Sequence, residues 1–250
     1  MSFAAATDFV LTARIQLSGA QTLHDLHEAL RTLTHGLSWD TRPAGPDAAL
    51  EVTLGKRQEL PLHATHAAGL TRFNTLHEQT RICRVHVSNV PPGFFQTLGF
   101  ATALMEQITA FQSTPDDVTE AVAARIARCR FLYEGGHRYG FLMEESVLRY
   151  QTAVPEAMRG QLRHLLAVIP LASVSLGIIP STARRTVWPL EAFYVHDDTM
   201  AVVETPTAEI KVAQPRELAD YAKAFTGLAE MAMYGDADRA LIRGAIDALE

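Results

Sequence analysis

In SVSLGIIP, residues 173–180, Val174, Leu176 and Ile178 alternate with Ser173, Ser175 and Gly177. A period of two marks a half-buried strand, and Pro180 ends it. The loop that follows, STARRTVWPLEA at 181–192, is polar and basic and carries Trp188. FYVH at 193–196 and TMAVVET at 199–205 are rich in strand formers and flank Asp197-Asp198, which predicts a hairpin. A small sheet therefore sits inside an otherwise helical half. The basic loop crosses one end of it, and Glu204 closes its last strand.

Working outward, apolar residues recur at helical spacing on both sides. Downstream, 215–234 predicts a helix with Leu218, Tyr221, Phe225, Leu228 and Met231 on one face, and 236–249 predicts another. Upstream, 155–169 predicts a helix with Met158, Leu162, Leu165, Leu166 and Ile169 inward. Before it come a short helix at 144–150 and a short strand at 139–143. The helix before that is expected to start at Thr114 as N-cap, with Pro115 next and Asp116 and Asp117 in its first turn. Val118, Val122, Ile126 and Cys129 form its apolar side, and Arg125, Arg128 and Arg130 its cationic side. Pro91-Pro92-Gly93 reads as a rigid turn ahead of Phe94-Phe95 and a helix through Phe111. Residues 69–83 predict a helix, and 84–90 a short extended run.

Residues 1–69 read as a separate α/β layer. Strands are predicted at 9–17 and 50–54, with a leucine-striped helix between them running from Thr22 through Leu37. Two strands are too few for an independent sheet, so this layer is expected to pair with the rest of the chain or with another chain. His24, His27, His63 and His66 form two HxxH pairs. Neither pair has a complete ligand set, so no metal and no cofactor are expected. The fold class predicted is α+β, with small sheets in the N- and C-terminal halves packed with about seven helices. The predicted domains are 1–69 and 70–250.

With 22 basic and 28 acidic residues the formal charge is −6, which argues against a general nucleic-acid binder. The two cysteines, Cys83 and Cys129, are not paired in a CxxC and read as reduced thiols. No apolar run reaches the length of a membrane span, and residues 1–9 lack the pattern of a signal peptide. A cytoplasmic protein is expected.

VPPGFFQTLGFATALM, at 90–105, resembles an element of the domain found C-terminal to the helix-turn-helix in actinobacterial XRE-type regulators of the WhiJ kind. RIARCRFL, MEESVLR, QLRHLL, SVSLGIIP, AFYV, AVVET and FTGLAEMAM are similar to further elements of that domain, in the same order. The resemblance spans about 70–250. It implies a cytoplasmic actinobacterial setting and a domain that senses a ligand or a partner. Two features depart from the pattern: Cys129 stands where the family has Gln, and Phe94-Phe95 replace Leu-Leu. Residues 1–69 also lack a recognisable helix-turn-helix, so the chain is not expected to read DNA by itself.

The expected chemistry centres on two acids. Glu145, after the 139–143 strand, and Glu204 could face one cleft if both strands share a sheet, with one acting as general base. His137, after Gly135-Gly136, is the third catalytic candidate. Arg125, Arg128, Arg149, Tyr133, Arg184 and Trp188 are the candidate substrate-binding residues, suited to an anionic or aromatic group. The expected function is a stand-alone small-molecule-binding protein of actinobacterial specialised metabolism. It is read first as a biosynthetic enzyme or enzyme subunit of natural-product biosynthesis, acting on an amino-acid-derived polar substrate by metal-independent acid/base chemistry. The alternative is a non-DNA-binding, antitoxin-like accessory or ligand-sensing partner of a transcriptional regulator. In either case a protein partner or a homo-oligomer is expected.

Overall fold

The computed structural model describes the strands Val10–Gln16, Leu37–Pro43, Ala49–Lys56 and Gln58–Pro61, and residues 74–249 apart from 113, 115, 206 and 207. The chain is α+β. Strands β1 (Val10–Gln16), β2 (Leu37–Pro43) and β3 (Ala49–Lys56) form an antiparallel sheet in the order β1-β3-β2. Leu37 therefore opens a strand rather than closing the expected helix, and β2 was not foreseen. Its sequence LSWDTRP has weak alternation and ends at Pro43. The expected helix before Leu37 and both HxxH pairs lie outside the described residues.

The main sheet has seven strands in the order β4-β10-β9-β8-β5-β6-β7. These are β4 (Gln58–Pro61), β5 (Ile82–Val87), β6 (Arg138–Glu144), β7 (Val174–Ile179), β8 (Phe193–His196), β9 (Met200–Glu204) and β10 (Ala208–Val212). Strands β5, β6 and β7 are parallel, and the others pair antiparallel. The expected strand at 173–179 and the hairpin at 193–205 thus join one sheet. Strand β4, from ahead of residue 70, pairs with β10.

Among the described residues, five longer helices pack around this sheet: α1 (Leu98–Gln112), α2 (Val118–Ala127), α3 (Pro155–Val168), α4 (Pro215–Ala229) and α5 (Asp236–Asp247). A short helical segment covers 74–79. Cys83, expected on a helix, lies on β5 because the chain leaves the helical segment at Thr80. Helix α2 starts at Val118 and not near Thr114. The Asp116 carboxylate accepts the Val118 N–H at 3.2 Å, holding the chain in a turn ahead of the helix. The arginine-bearing stretch 128–132 continues α2 as a tighter 3-10 turn.

Strand alternation sorts the sheet into two faces. Cys83, Val85 and Val87 share a face with Tyr139, Phe141 and Met143 of β6 and with Tyr194 and His196 of β8. Phe94, Phe95, Phe131, Leu162, Leu165 and Ile242 cover that face, from the Pro91–Gly93 turn, the 128–132 turn, α3 and α5. The opposite face carries Leu142, Ile179, Phe193, Val195 and Val203, and α4 covers it with Leu218 and Leu228. The Pro-Pro-Gly turn places both phenylalanines at 0% exposure, and the Phe95 and Phe141 ring centroids lie 4.3 Å apart. Gln161 on α3 fixes the turn from below. It donates to the Phe95 carbonyl at 2.7 Å and accepts the Thr97 N–H at 2.8 Å.

The hairpin forms where it was expected. Asp197 takes a left-handed φ of 49°, and its carboxylate accepts the Ile82 N–H at 2.8 Å. The outer edge of β7 is covered by Met233, which exchanges two backbone hydrogen bonds with Ile178. Gly177 permits this approach, because a Cβ there would lie 2.6 Å from Tyr234 and 2.9 Å from Ala232. Gly177→Ala should lower stability by about 1–3 kcal/mol, read as a lower urea midpoint. Gly160→Ala, on α3 with open space around it, should raise stability by roughly 0.5–1 kcal/mol.

Candidate functional site

Beside the C-terminal end of β5, a recess of about 60 Å³ is bounded by the 87–96 segment, the end of α2, and the facing ends of β8 and β9. Its polar lining side chains are Asn89, Gln96, Arg125, Arg128, Tyr194 and Glu204. Helical spacing and strand register bring these residues together. Arg125 and Arg128 are three apart, so they project to one side of the same helical end. Tyr194 and Glu204 fall on one sheet face because β8 and β9 pair in the register Tyr194↔Val202.

Arg128 is 4% exposed. Its Nε donates to Asn74 Oδ1 at 3.1 Å, and its guanidinium lies 5.7 Å from the Phe94 ring centroid. A Cβ at position 93 would sit 3.0 Å from Arg128 Nη1, so glycine there lets the charge reach the turn. Burial, and then the like charge of Arg125, hold Arg128 down to about 10. Arg125 donates to Gln96 Oε1 at 3.1 Å. Its Nε is buried with no acceptor among the described residues. Burial lowers Arg125 as well, and the Glu204 carboxylate opposes that effect. The Tyr194 hydroxyl is pushed up to about 12, by burial first and by Glu204 next. One buried and one half-buried cation thus face one exposed carboxylate, and the recess has a local excess of positive charge suited to an anion.

The same face carries a second polar group toward the N-terminal end of β5. His77, Cys83 and His196 meet there, at 0%, 1% and 1% exposure. Burial lowers His77 strongly and holds His196 down to about 4, while it pushes the Cys83 thiol up.

A family model described as "Domain of unknown function (DUF5753)" matches residues 70–244, well over half of the sequence. The chain belongs to the DUF5753 family. No curated protein matches it. Among solved structures it is similar to NucT from Helicobacter pylori, at 9% identity and a TM-score of 0.39, covering 72% of this chain and 99% of that one. It is also similar to Nuc from Salmonella typhimurium, a phospholipase D family member, at 7% identity and a TM-score of 0.41, covering 72% and 97%. Among the described residues, no helix is long and apolar enough to cross a membrane.

Of the residues singled out from the sequence of this DUF5753 chain, Arg125, Arg128 and Glu204 line the recess. Glu145 does not. Its strand and that of Glu204 do share one sheet, but β5 and β8 lie between them, three strand spacings or about 14 Å. Glu145 instead accepts from the Ser181 N–H and hydroxyl, both at 2.9 Å, and from Arg149 at 3.2 Å. These bonds hold its carboxyl below the usual range, the Ser181 backbone bond most of all. Glu145 and Arg149 therefore form a clasp on the loop after β7. His137 sits before β6, at the opposite end of the sheet, where its Nδ1 donates to the Thr80 carbonyl at 2.6 Å. Tyr133, Arg184 and Trp188 are exposed. Sequence reasoning passed over Gln96 and Tyr194 in the recess. The alternation that placed Glu204 also puts Tyr194 on its face, and that was the available signal.

On the opposite face, Glu144 is the buried acid. Its carboxylate takes a two-pronged ion pair from Arg185, one prong at 2.8 Å, and lies 3.6 Å from His86 Nε2. Burial pushes the Glu144 carboxyl up, but the two hydrogen bonds from Arg185, with His86 nearby, outweigh it and leave the group at about 2. This carboxyl is depressed below its ordinary 4.5, so its stabilisation is full above pH 4.5 and fades as pH falls through about 2. The conversion of about 1.4 kcal/mol per pH unit gives roughly 3.5 kcal/mol, and with solvent screening at the strand end Glu144→Gln should cost about 2–3 kcal/mol at pH 7. The gap to wild type, measured by chemical denaturation, should narrow steadily between pH 4.5 and pH 2.

Proposed function

We propose that this DUF5753 chain is a small-molecule-binding protein whose ligand places a carboxylate, or an anion of similar size, between Arg125 and Arg128. The observation that carries this reading is the pair of guanidiniums, Arg128 buried and Arg125 half-buried, that line one small recess. Holding two like charges partly out of water is costly, and an anion between them offsets that cost. At about 60 Å³ the recess suits a head group, with the rest of the ligand extending outward. Glu204 at the rim suits an amine or a hydroxyl on the same ligand, so an amino-acid-derived compound fits the set.

The family membership and the ordered motif resemblance to WhiJ-type regulators support a sensing role in an actinobacterial cytoplasm, exercised through a protein partner. A second reading is a biosynthetic enzyme of specialised metabolism. Glu204 at the rim of the recess favours it, since an exposed carboxylate opposite the anion seat could take a proton from a bound amine or hydroxyl.

The test uses thermal shift and titration calorimetry with acetate, inorganic phosphate and a panel of free amino acids. Anions should raise the melting temperature of wild type. Arg125→Met and Arg128→Met should each weaken binding about 10–100-fold, the loss of one charge-assisted hydrogen bond. Equal anion response in wild type and both variants would sink the reading. The readings separate on turnover. A sensor returns its bound ligand unchanged by NMR and tolerates Glu204→Gln, whereas an enzyme converts the ligand and loses conversion in that variant.

A further inference from the structure

Cys83 and His196 are direct partners across β5 and β8, and Cys83 is equally the partner of Tyr139 across β5 and β6. The row His196, Cys83, Tyr139 therefore faces one way, and His77 descends on it from the 74–79 segment. The His77 and His196 ring centroids lie 4.8 Å apart. One donor atom from each of His77, Cys83 and His196 falls within 4.8 Å of the other two. We propose that these three side chains form a Zn²⁺ site, separate from the arginine recess.

The donor set is the first argument. One thiolate and two imidazoles match a borderline-soft cation such as Zn²⁺, and they disfavour Mg²⁺ or Ca²⁺, which want oxygen. Geometry is the second. Donors on a tetrahedral zinc sit about 3.3–3.7 Å apart, given bond lengths of about 2.0 and 2.3 Å. The present separations need to close by at most about 1.5 Å, which small side-chain rotations supply. The supporting contacts are the third. Thr80 Oγ1 lies 2.8 Å from the Leu76 carbonyl and 3.0 Å from His196 Nδ1. Its one proton goes to the carbonyl, so the hydroxyl accepts Nδ1–H; Nδ1 is also the atom 4.0 Å from Cys83 Sγ, so presenting the Nε2 lone pair to a metal requires the His196 ring to turn. Beside the site, the Tyr139 hydroxyl is buried with no hydrogen-bond partner among the described residues. A water in the fourth metal position would supply that partner.

On binding, a Zn–S bond forms, the Cys83 Sγ–H bond breaks and its proton leaves to solvent. No electron is transferred. The chain has two cysteines, which makes the site testable without altering it. In Cys129→Ser protein, Cys83 is the sole thiol. Co²⁺ added to chelator-washed Cys129→Ser protein should give a thiolate-to-metal charge-transfer band at one equivalent, and Zn²⁺ should displace it. Zn²⁺ should raise the melting temperature by several degrees, and Mg²⁺ or Ca²⁺ at equal concentration should not. Cys83→Ser and His196→Ala should abolish the band and the shift. Absence of the band in Cys129→Ser protein overturns the proposal, as does a Zn²⁺ shift that survives in folded Cys83→Ser protein. The band carries the decision if the Cys83 or His196 variants fail to fold.

Discussion

The charge of Arg128, held at 4% exposure against the face of a β-sheet, constrains everything packed around it. A guanidinium removed from water needs acceptors, a polarisable surface and nearby negative charge. Asn74 supplies an acceptor, the Phe94 ring a surface, and the carboxylate of Glu204 part of the charge. Each supplier comes from a different element. The 74–79 segment, the Pro-Pro-Gly turn and the end of β9 must all arrive together before the charge can be buried. Glycine at 93 follows from the same demand, since a side chain there would occupy space the guanidinium uses.

The sheet answers by keeping its two faces chemically apart. One face receives Arg128 and the histidine–cysteine group. The other is mostly apolar; Arg84 lies on it opposite Val195, and near its C-terminal end Glu144 pairs with Arg185 beside His86. That ion pair ties the loop after β7 to the end of β6, and Glu145, with Ser181, ties it a second time. Two adjacent acids therefore do the same job from opposite sides of the strand end. Neither is available to the recess, which lies across β5 on the other face. Burial of one member of a charged pair makes such ties expensive to break, and the loop is fixed accordingly.

How much of this was legible follows from which forces act locally. Alternation at 173–179 and 193–205, the Asp-Asp hairpin and the amphipathic helices were readable because each is set by neighbours in sequence. Strand β2 and the placement of Cys83 on β5 were not. LSWDTRP has little periodicity, and the helix before Cys83 stops at Thr80, where a buried hydroxyl bonds His196 from a distant strand. In the recess, Arg125 and Arg128 stood out by helical spacing, and Glu204 by its place at a strand end. Glu145 and His137 stood out for the same kind of local reason, yet hydrogen bonds to Ser181 and to the Thr80 carbonyl engage them elsewhere. Local pattern says which residues can reach a site. It does not say which partner reaches them first.

Along the shared face, polar residues run from Glu204 through Tyr194, Arg125 and Arg128 to His77, His196 and Cys83. Between a sheet and a close-packed helical layer the effective dielectric is low, so a charge acts over several side chains. Arg128 lies at the middle of this lane. Its field acts on Tyr194 on one side and on His77, His196 and Cys83 on the other. The sign is the same throughout: the positive charge disfavours a second proton on either imidazole and favours loss of the proton from thiol or phenol. The side chains at both ends of the lane are thus tuned by the same buried guanidinium.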